Sequence, residues 1–224
     1  LKDGFKLLPE QKVDKMHDYF WDRKPEIDKT TYFYPQKMVV NCPGVLEMAN
    51  KFLKDAQRYL GVTPIIANYS AWWSHPGESE HERLWHTDLD DIRFLKLFVY
   101  LTDVNEASGP HMSIPGSQDL NLLHGLSKAT ATFAPWYFST LRKDDLVVSM
   151  FFHKLKRILF TGERGTAFLN DTRGLHRGVT PVAASRLVLQ VLYTVAPFYH
   201  EEPAKITRRL PKKYDPYSNM LWMK

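Results

Sequence analysis

Two hydrophobic periods run through the chain, and they change over near Gly61. In Leu8 to Phe20 (LPEQKVDKMHDYF) apolar side chains recur at Val13, Met16, Tyr19 and Phe20, the spacing of one helix face. Pro43 to Gly61 gives a longer stripe through Val45, Leu46, Met48, Ala49, Phe52, Leu53, Ala56 and Leu60. Pro43 suits a first turn and Gly61 a C-terminal stop. Between these helices, KTTYFYPQKMVV predicts a short strand. Beyond Gly61 the runs shorten: TPIIANYSAWW, ERLWHTDLD, RFLKLFVYLTDV, PHMSIPG, RILFTGE, GTAFLND and SRLVLQVLYTV. Gly, Pro, Asn, Asp and Ser separate them, and such closely spaced strands predict a β-barrel or sandwich. Gln118 to Phe152 departs from the pattern with helix-compatible stretches. The strands on either side of it belong to one sheet system, so no boundary is placed there. The expectation is one domain over residues 1–224, with a helical layer over about 1–61, a β core over about 62–200 and a tail. No internal repeat is present.

Composition narrows the setting. An apolar share of 44% and a charged share of 25% are ordinary for a soluble globular chain. No apolar run approaches the length of a membrane span, so no membrane partner is expected. The single cysteine, Cys42, excludes an internal disulfide framework and fits a reducing, cytoplasmic location. Net charge is +5, that of a mildly basic soluble protein, with attraction to an anion as the sharper alternative. The densest basic block, Ile206 to Tyr214 (ITRRLPKKY), holds a proline and no interleaved aromatic platform. It reads as a solvated tail, and no nucleic-acid partner is expected.

Candidate chemistry starts at LWHTDLDD, Leu84 to Asp91. On a strand, residues two apart share a face, so His86 and Asp88 would stand side by side. Spacing alone is cheap: nine histidines and fifteen aspartates give roughly 0.6 such pairs by chance. His200 and Glu202 form a rival pair in the tail. A redox-active Fe(II) site commonly uses two histidines and one carboxylate on one face, leaving positions open. His176, in NDTRGLHRGVTP between two strand patterns, is the best third ligand. His75 and His81 sit in a polar loop, His153 flanks a basic segment, and His124 falls in a predicted helix. Ten residues after His176, Arg186 opens a buried-looking strand. Gly178 and Pro181 predict a turn that folds this strand back beside the one carrying His176. Arginine is the side chain best shaped to grip a carboxylate with two parallel hydrogen bonds. Asp90 and Asp91 extend the acidic stretch but are left out of the site.

HTD at His86 to Asp88, the distal histidine in NDTRGLHRG and the arginine ten residues later resemble the iron- and 2-oxoglutarate-dependent oxygenases. Within them the chain is most similar to the phytanoyl-CoA dioxygenase family, whose run from first ligand to a "GP…PGS" turn resembles WHTDLDDIRFLKLFVYLTDVNEASGPHMSIPGSQ. The resemblance covers roughly Ile65 to Pro197. It implies a double-stranded β-helix, the jelly-roll or cupin-like barrel, with Fe(II) on His86, Asp88 and His176 and 2-oxoglutarate on Arg186. It further implies O2-dependent hydroxylation of a small molecule, with release of succinate and CO2. Because Asp88 is a carboxylate, oxygen transfer is favoured over the halogenation of relatives that lack one. The chain departs from relatives that carry a serine two residues after the distal histidine; here that position is Gly178. Lys96, a lysine on an apolar strand, and Tyr69 are candidate helpers of Arg186. Trp72, Trp85, Tyr100 and His111 are candidate pocket residues, with Trp73 beside them, and the loop Ser74 to Arg83 is a candidate lid. A macromolecular substrate and a cupin-type metal protein without 2-oxoglutarate remain alternatives. No CoA-binding motif is legible, and the substrate and oligomeric state are not specified by the sequence.

Overall fold

A computed structural model describes residues 10–24, 30–77, 84–139 and 142–196. His81, His200, Glu202, the basic block Ile206 to Tyr214 and residues 78–83 of the proposed lid lie outside them. Helix α1 (Glu10–Trp21) and α3 (Val45–Leu60) follow the two apolar stripes. Helix α3 lies between Gly44 and Gly61, both at positive φ, where a side-chain-free residue turns the chain at least cost. Strand β1 (Thr31–Phe33) is short, and KTTYFYPQKMVV continues into a helix the periodicity did not predict, α2 (Gln36–Asn41).

Then come β2 (Ile65–Ser74), β3 (Phe94–Tyr100), β4 (His111–Ser113), β5 (Ile158–Phe160), β6 (Ala167–Asn170), β7 (His176–Gly178) and β8 (Arg186–Thr194). They form a five-stranded sheet in the order β1-β2-β8-β3-β6 and a three-stranded sheet, β5-β4-β7, with all pairs antiparallel. The stretch Gln118 to Phe152 holds α4 (Leu120–Ala129), α5 (Phe133–Ser139) and α6 (Asp145–Phe152), which build a second core against Trp85 and Leu175.

The large sheet separates two environments by strand parity. Tyr69, Ala71, Trp73, Leu95, Leu97, Val99, Leu187, Leu189, Val191 and Tyr193 face α1, α2 and α3 in one continuous core. Burying a large apolar side chain here contributes roughly 2 kcal/mol. Polar tips in that core find partners: Tyr193 donates to the Ala49 carbonyl at 2.7 Å, Tyr34 to the Phe20 carbonyl at 2.6 Å, and Trp73 to the Tyr34 hydroxyl at 3.0 Å. A bulge between Ile66 and Asn68 adds one residue to β2, so Ile66 and Tyr69, three apart, share the helix-facing core. The opposite parity, Ser70, Trp72, Ser74, Lys96, Phe98, Arg186 and Gln190, faces a cavity of about 310 Å³. Residues of the small sheet, His111, His176 and Gly178, also line it.

Two expectations about connection are corrected. The described part of ERLWHTDLD, residues 84–90, is not a strand: Trp85 and His86 make single antiparallel bridges, and residues 87–89 pair with nothing regular. Strand β8 does not fold back beside β7, because the Pro181 turn carries the chain from the small sheet into the large one.

Candidate active site

His86 and His176 exchange backbone hydrogen bonds, each amide donating to the other's carbonyl at 3.0 Å. The Asp88 amide donates to the Thr172 carbonyl at 2.9 Å, so the three residues are set by backbone pairing between two segments. Ligand-capable atoms of His86, Asp88 and His176 all lie within 4.8 Å of one another. Asp88 Oδ1 is 3.9 Å from His86 Nε2, and its Oδ2 is 3.2 Å from His176 Nε2. The anticipated proximity of residues two apart thus holds without a regular strand.

The tautomers follow from the acceptors. Nδ1 of His86 lies 2.9 Å from the Leu84 carbonyl, and Nδ1 of His176 lies 3.0 Å from the Gly174 carbonyl. A carbonyl only accepts, so each Nδ1 carries a proton, and in the neutral ring Nε2 is the nitrogen free to ligate a metal. Burial, reinforced by His176, pushes His86 down to about 3, and the Arg142 charge adds to this. Burial alone would raise the Asp88 carboxyl, but His176, Lys96 and His86 outweigh it and hold it well below the usual carboxylate range. Two imidazoles and one carboxylate on one side of a cavity can hold a divalent cation while leaving its other positions open.

Lys96 does point inward. Its Nζ lies 2.6 Å from Asp88 Oδ2 and 2.8 Å from Asp90 Oδ2, so it neutralises two carboxylates. Burial would lower its pKa, yet the two acids raise it, and the ammonium form is maintained. Asp90, which sequence reasoning set aside, therefore supports the site through Lys96.

Arg186 is 5% exposed and projects from the first position of β8. It donates through Nη1 to the Gly109 carbonyl and lies 3.3 Å through Nη2 from Ser74 Oγ. Gly178 lies against the guanidinium: a Cβ there would sit 3.4 Å from Arg186 Nη2, at ordinary contact distance. The hydroxyl expected two residues after His176 is thus met by one from β2.

The other candidates divide. Trp72 and His111 line the cavity. Buried His111, its Nε2 2.9 Å from Asn170 Nδ2, is pushed well below the ordinary histidine range by burial, and remains neutral. Tyr69 and Trp73 turn to the helix-facing core, the opposite face from Ser70 and Trp72. Tyr100 belongs to a core with Phe160 and Phe168; its hydroxyl donates to the Phe160 carbonyl at 2.7 Å and accepts from the His111 amide. Trp85 is buried against the helical insertion, and its Nε1 donates to Asp145 at 3.0 Å. Sequence reasoning missed Thr31, Phe33, Ser70, Arg142, Val179 and Gln190, which also line the cavity. Parity on β2 and β8 could have found Ser70 and Gln190; nothing in the pattern of the insertion marks Arg142.

No family model and no curated protein matches the chain by sequence. By structure it is similar to EctD from S. alaskensis, crystallised with 2-oxoglutarate and 5-hydroxyectoine: TM-score 0.62, 18% identity, over 93% of this chain and 78% of that one. It is similar to HygX from Streptomyces hygroscopicus with nickel, 2-oxoglutarate and hygromycin B: TM-score 0.56, 15% identity, over 91% and 87%. The epimerase SnoN, in complex with Fe3+, alpha ketoglutarate and nogalamycin RO, gives a TM-score of 0.56 at 12% identity over 85% and 78%. At these identities the likeness is one of fold.

Proposed function

We propose that the chain is a non-haem Fe(II)- and 2-oxoglutarate-dependent dioxygenase of the phytanoyl-CoA dioxygenase type, hydroxylating a small molecule on a double-stranded β-helix. The observation that carries this reading is the convergence of His86, Asp88 and His176 within 4.8 Å in a cavity that also holds buried Arg186. The fold likeness to proteins crystallised with 2-oxoglutarate supports it. A cytoplasmic location is part of the proposal; among the described residues no helix is long and apolar enough to cross a membrane.

In this reading His86, Asp88 and His176 would hold the iron, with the Leu84 and Gly174 carbonyls keeping the proton of each neutral ring on Nδ1. Arg186, steadied by Ser74 and the Gly109 carbonyl, pairs with the carboxylate of 2-oxoglutarate remote from the metal. Lys96 fixes the Asp88 carboxylate and offsets its charge and that of Asp90. Bound together, the metal and cosubstrate supply oxidative decarboxylation with O2, giving succinate, CO2 and the oxidising power for hydroxylation. Phe33, Trp72, Phe98 and Val179 give the cavity an apolar wall.

The test is anaerobic titration of the Fe(II)-loaded protein with 2-oxoglutarate, followed by succinate assay in air. A visible charge-transfer band and uncoupled succinate are expected, both abolished in Asp88→Ala. Absence of band and succinate in the wild type overturns the proposal.

A further inference from the structure

The cavity lining holds three cations, and two of them are engaged. Lys96 is paired with Asp88 and Asp90, and Arg186 with Gly109 and Ser74. The third is Arg142, for which no hydrogen bond or ion pair is seen among the described residues; its Nη1 is buried with no hydrogen-bond partner. A desolvated guanidinium N–H costs free energy until an acceptor meets it.

Its placement is built. Lys143 pairs with Trp85 in an antiparallel bridge, its amide donating to the Trp85 carbonyl at 2.7 Å. One step along an antiparallel pair brings Arg142 level with His86. Neighbours on an extended segment point opposite ways. Lys143 is buried over the rings of Tyr137 and Trp136, 5.1 Å and 5.8 Å from their centroids, while Arg142 lines the cavity. The helical insertion therefore delivers one positive charge beside the candidate metal ligands.

We propose that Arg142 is the specificity-determining residue for a carboxylate on the substrate, so that the enzyme takes a small monocarboxylic acid with an apolar or aromatic body. The proposal rests on the oxygenase reading for what is done to that acid. A single arginine matches a single negative charge. Phe33, 56% exposed and stacked on Trp72 at 5.3 Å, offers a flat surface to the remainder of the molecule. The carboxylates of 2-oxoglutarate are the competing source of the same chemistry, and the test separates the two.

Calorimetry on protein loaded with redox-silent Ni(II) and saturating 2-oxoglutarate compares 4-phenylbutyrate with 4-phenyl-1-butanol, which differ in the charged group. The acid should bind about ten-fold tighter than the alcohol. Arg142→Gln should erase that preference and leave alcohol binding unchanged, and Arg142→Lys should keep part of it. The Kd for 2-oxoglutarate should stay within about two-fold in Arg142→Gln, whereas a ten-fold loss assigns Arg142 to the cosubstrate and overturns the proposal. No preference for the acid in wild type, no acid binding up to about 10 mM, or a preference that survives Arg142→Gln also overturns it. If 2-oxoglutarate itself fails to bind the wild type, the oxygenase reading falls. The acid–alcohol comparison, repeated with Ni(II) alone, then still decides the role of Arg142.

Discussion

Ser74 and Arg186 stand opposite each other in the β2–β8 register, with the Ser74 hydroxyl 3.3 Å from the Arg186 guanidinium. Arg186, proposed to hold 2-oxoglutarate, is therefore oriented from the strand beside it in the large sheet. Ser74→Ala should raise the 2-oxoglutarate Kd about three- to ten-fold, since an arginine that loses a neutral hydrogen bond keeps its charge. Arg186→Ala should raise it far more. Titration of the charge-transfer band measures both, and equal effects would contradict the supporting role of Ser74.

Gly109 has a φ of +72°, and a Cβ there would meet the Val179 carbonyl oxygen at 2.5 Å. Its own carbonyl accepts from Arg186. Gly109→Ala should destabilise by more than about 1 kcal/mol and weaken 2-oxoglutarate binding together. Chemical denaturation and the band titration check the two effects.

Lys96 lies between Asp88 and Asp90, and its removal leaves two carboxylates facing each other. Lys96→Met should cost about 3 kcal/mol in metal-free protein, the scale of a broken buried pair. Because a divalent cation would then take over the neutralisation, Ni(II) should raise the Tm of Lys96→Met by more than that of wild type. Differential scanning calorimetry with and without Ni(II) reads the difference.

Asp171 accepts from Tyr59 at 2.6 Å and pairs with Arg173, tying α3 to the turn that precedes His176. Burial alone would raise its carboxyl, but Arg173 and Tyr59 outweigh this and hold it below the ordinary value. A depressed folded-state pKa contributes stability above the unfolded value, about 3.9, and loses it as pH falls through the folded one. Asp171→Asn should therefore be less stable than wild type at pH 7, with the gap closing below about pH 4. Urea unfolding across that range tests the sign.

The alternating runs made most strands legible, and the histidine, carboxylate and arginine spacing made the candidate site legible. What the sequence hid was pairing. Periodicity says that Trp72 and Trp73 face opposite ways but not which one meets the cavity. Tyr69 read as a helper of Arg186 and Tyr100 as a pocket aromatic, yet each buries its ring in a core on which the strand pattern is silent. Asp90 acquires a role through Lys96, six residues away, because the segment between them bends back. Arg142 depends on a bridge between Trp85 and Lys143 across fifty-odd residues, and no local pattern reports such a contact.

The bulge in β2 has a consequence for how the chain can vary. Ala67 acts as a change of phase: Ile66 before it and Tyr69 after it both meet the helices, while Ser70, Trp72 and Ser74 are handed to the cavity. Were Ala67 kept but paired regularly, the two halves of the strand would be out of step. Either Ile66 would leave its packing, or the hydroxyl beside Arg186 would be traded for the indole of Trp73. Single insertions or deletions elsewhere in β2 should thus be far less tolerated than loss of Ala67 itself, which leaves Ile66 and Tyr69 two apart and in phase.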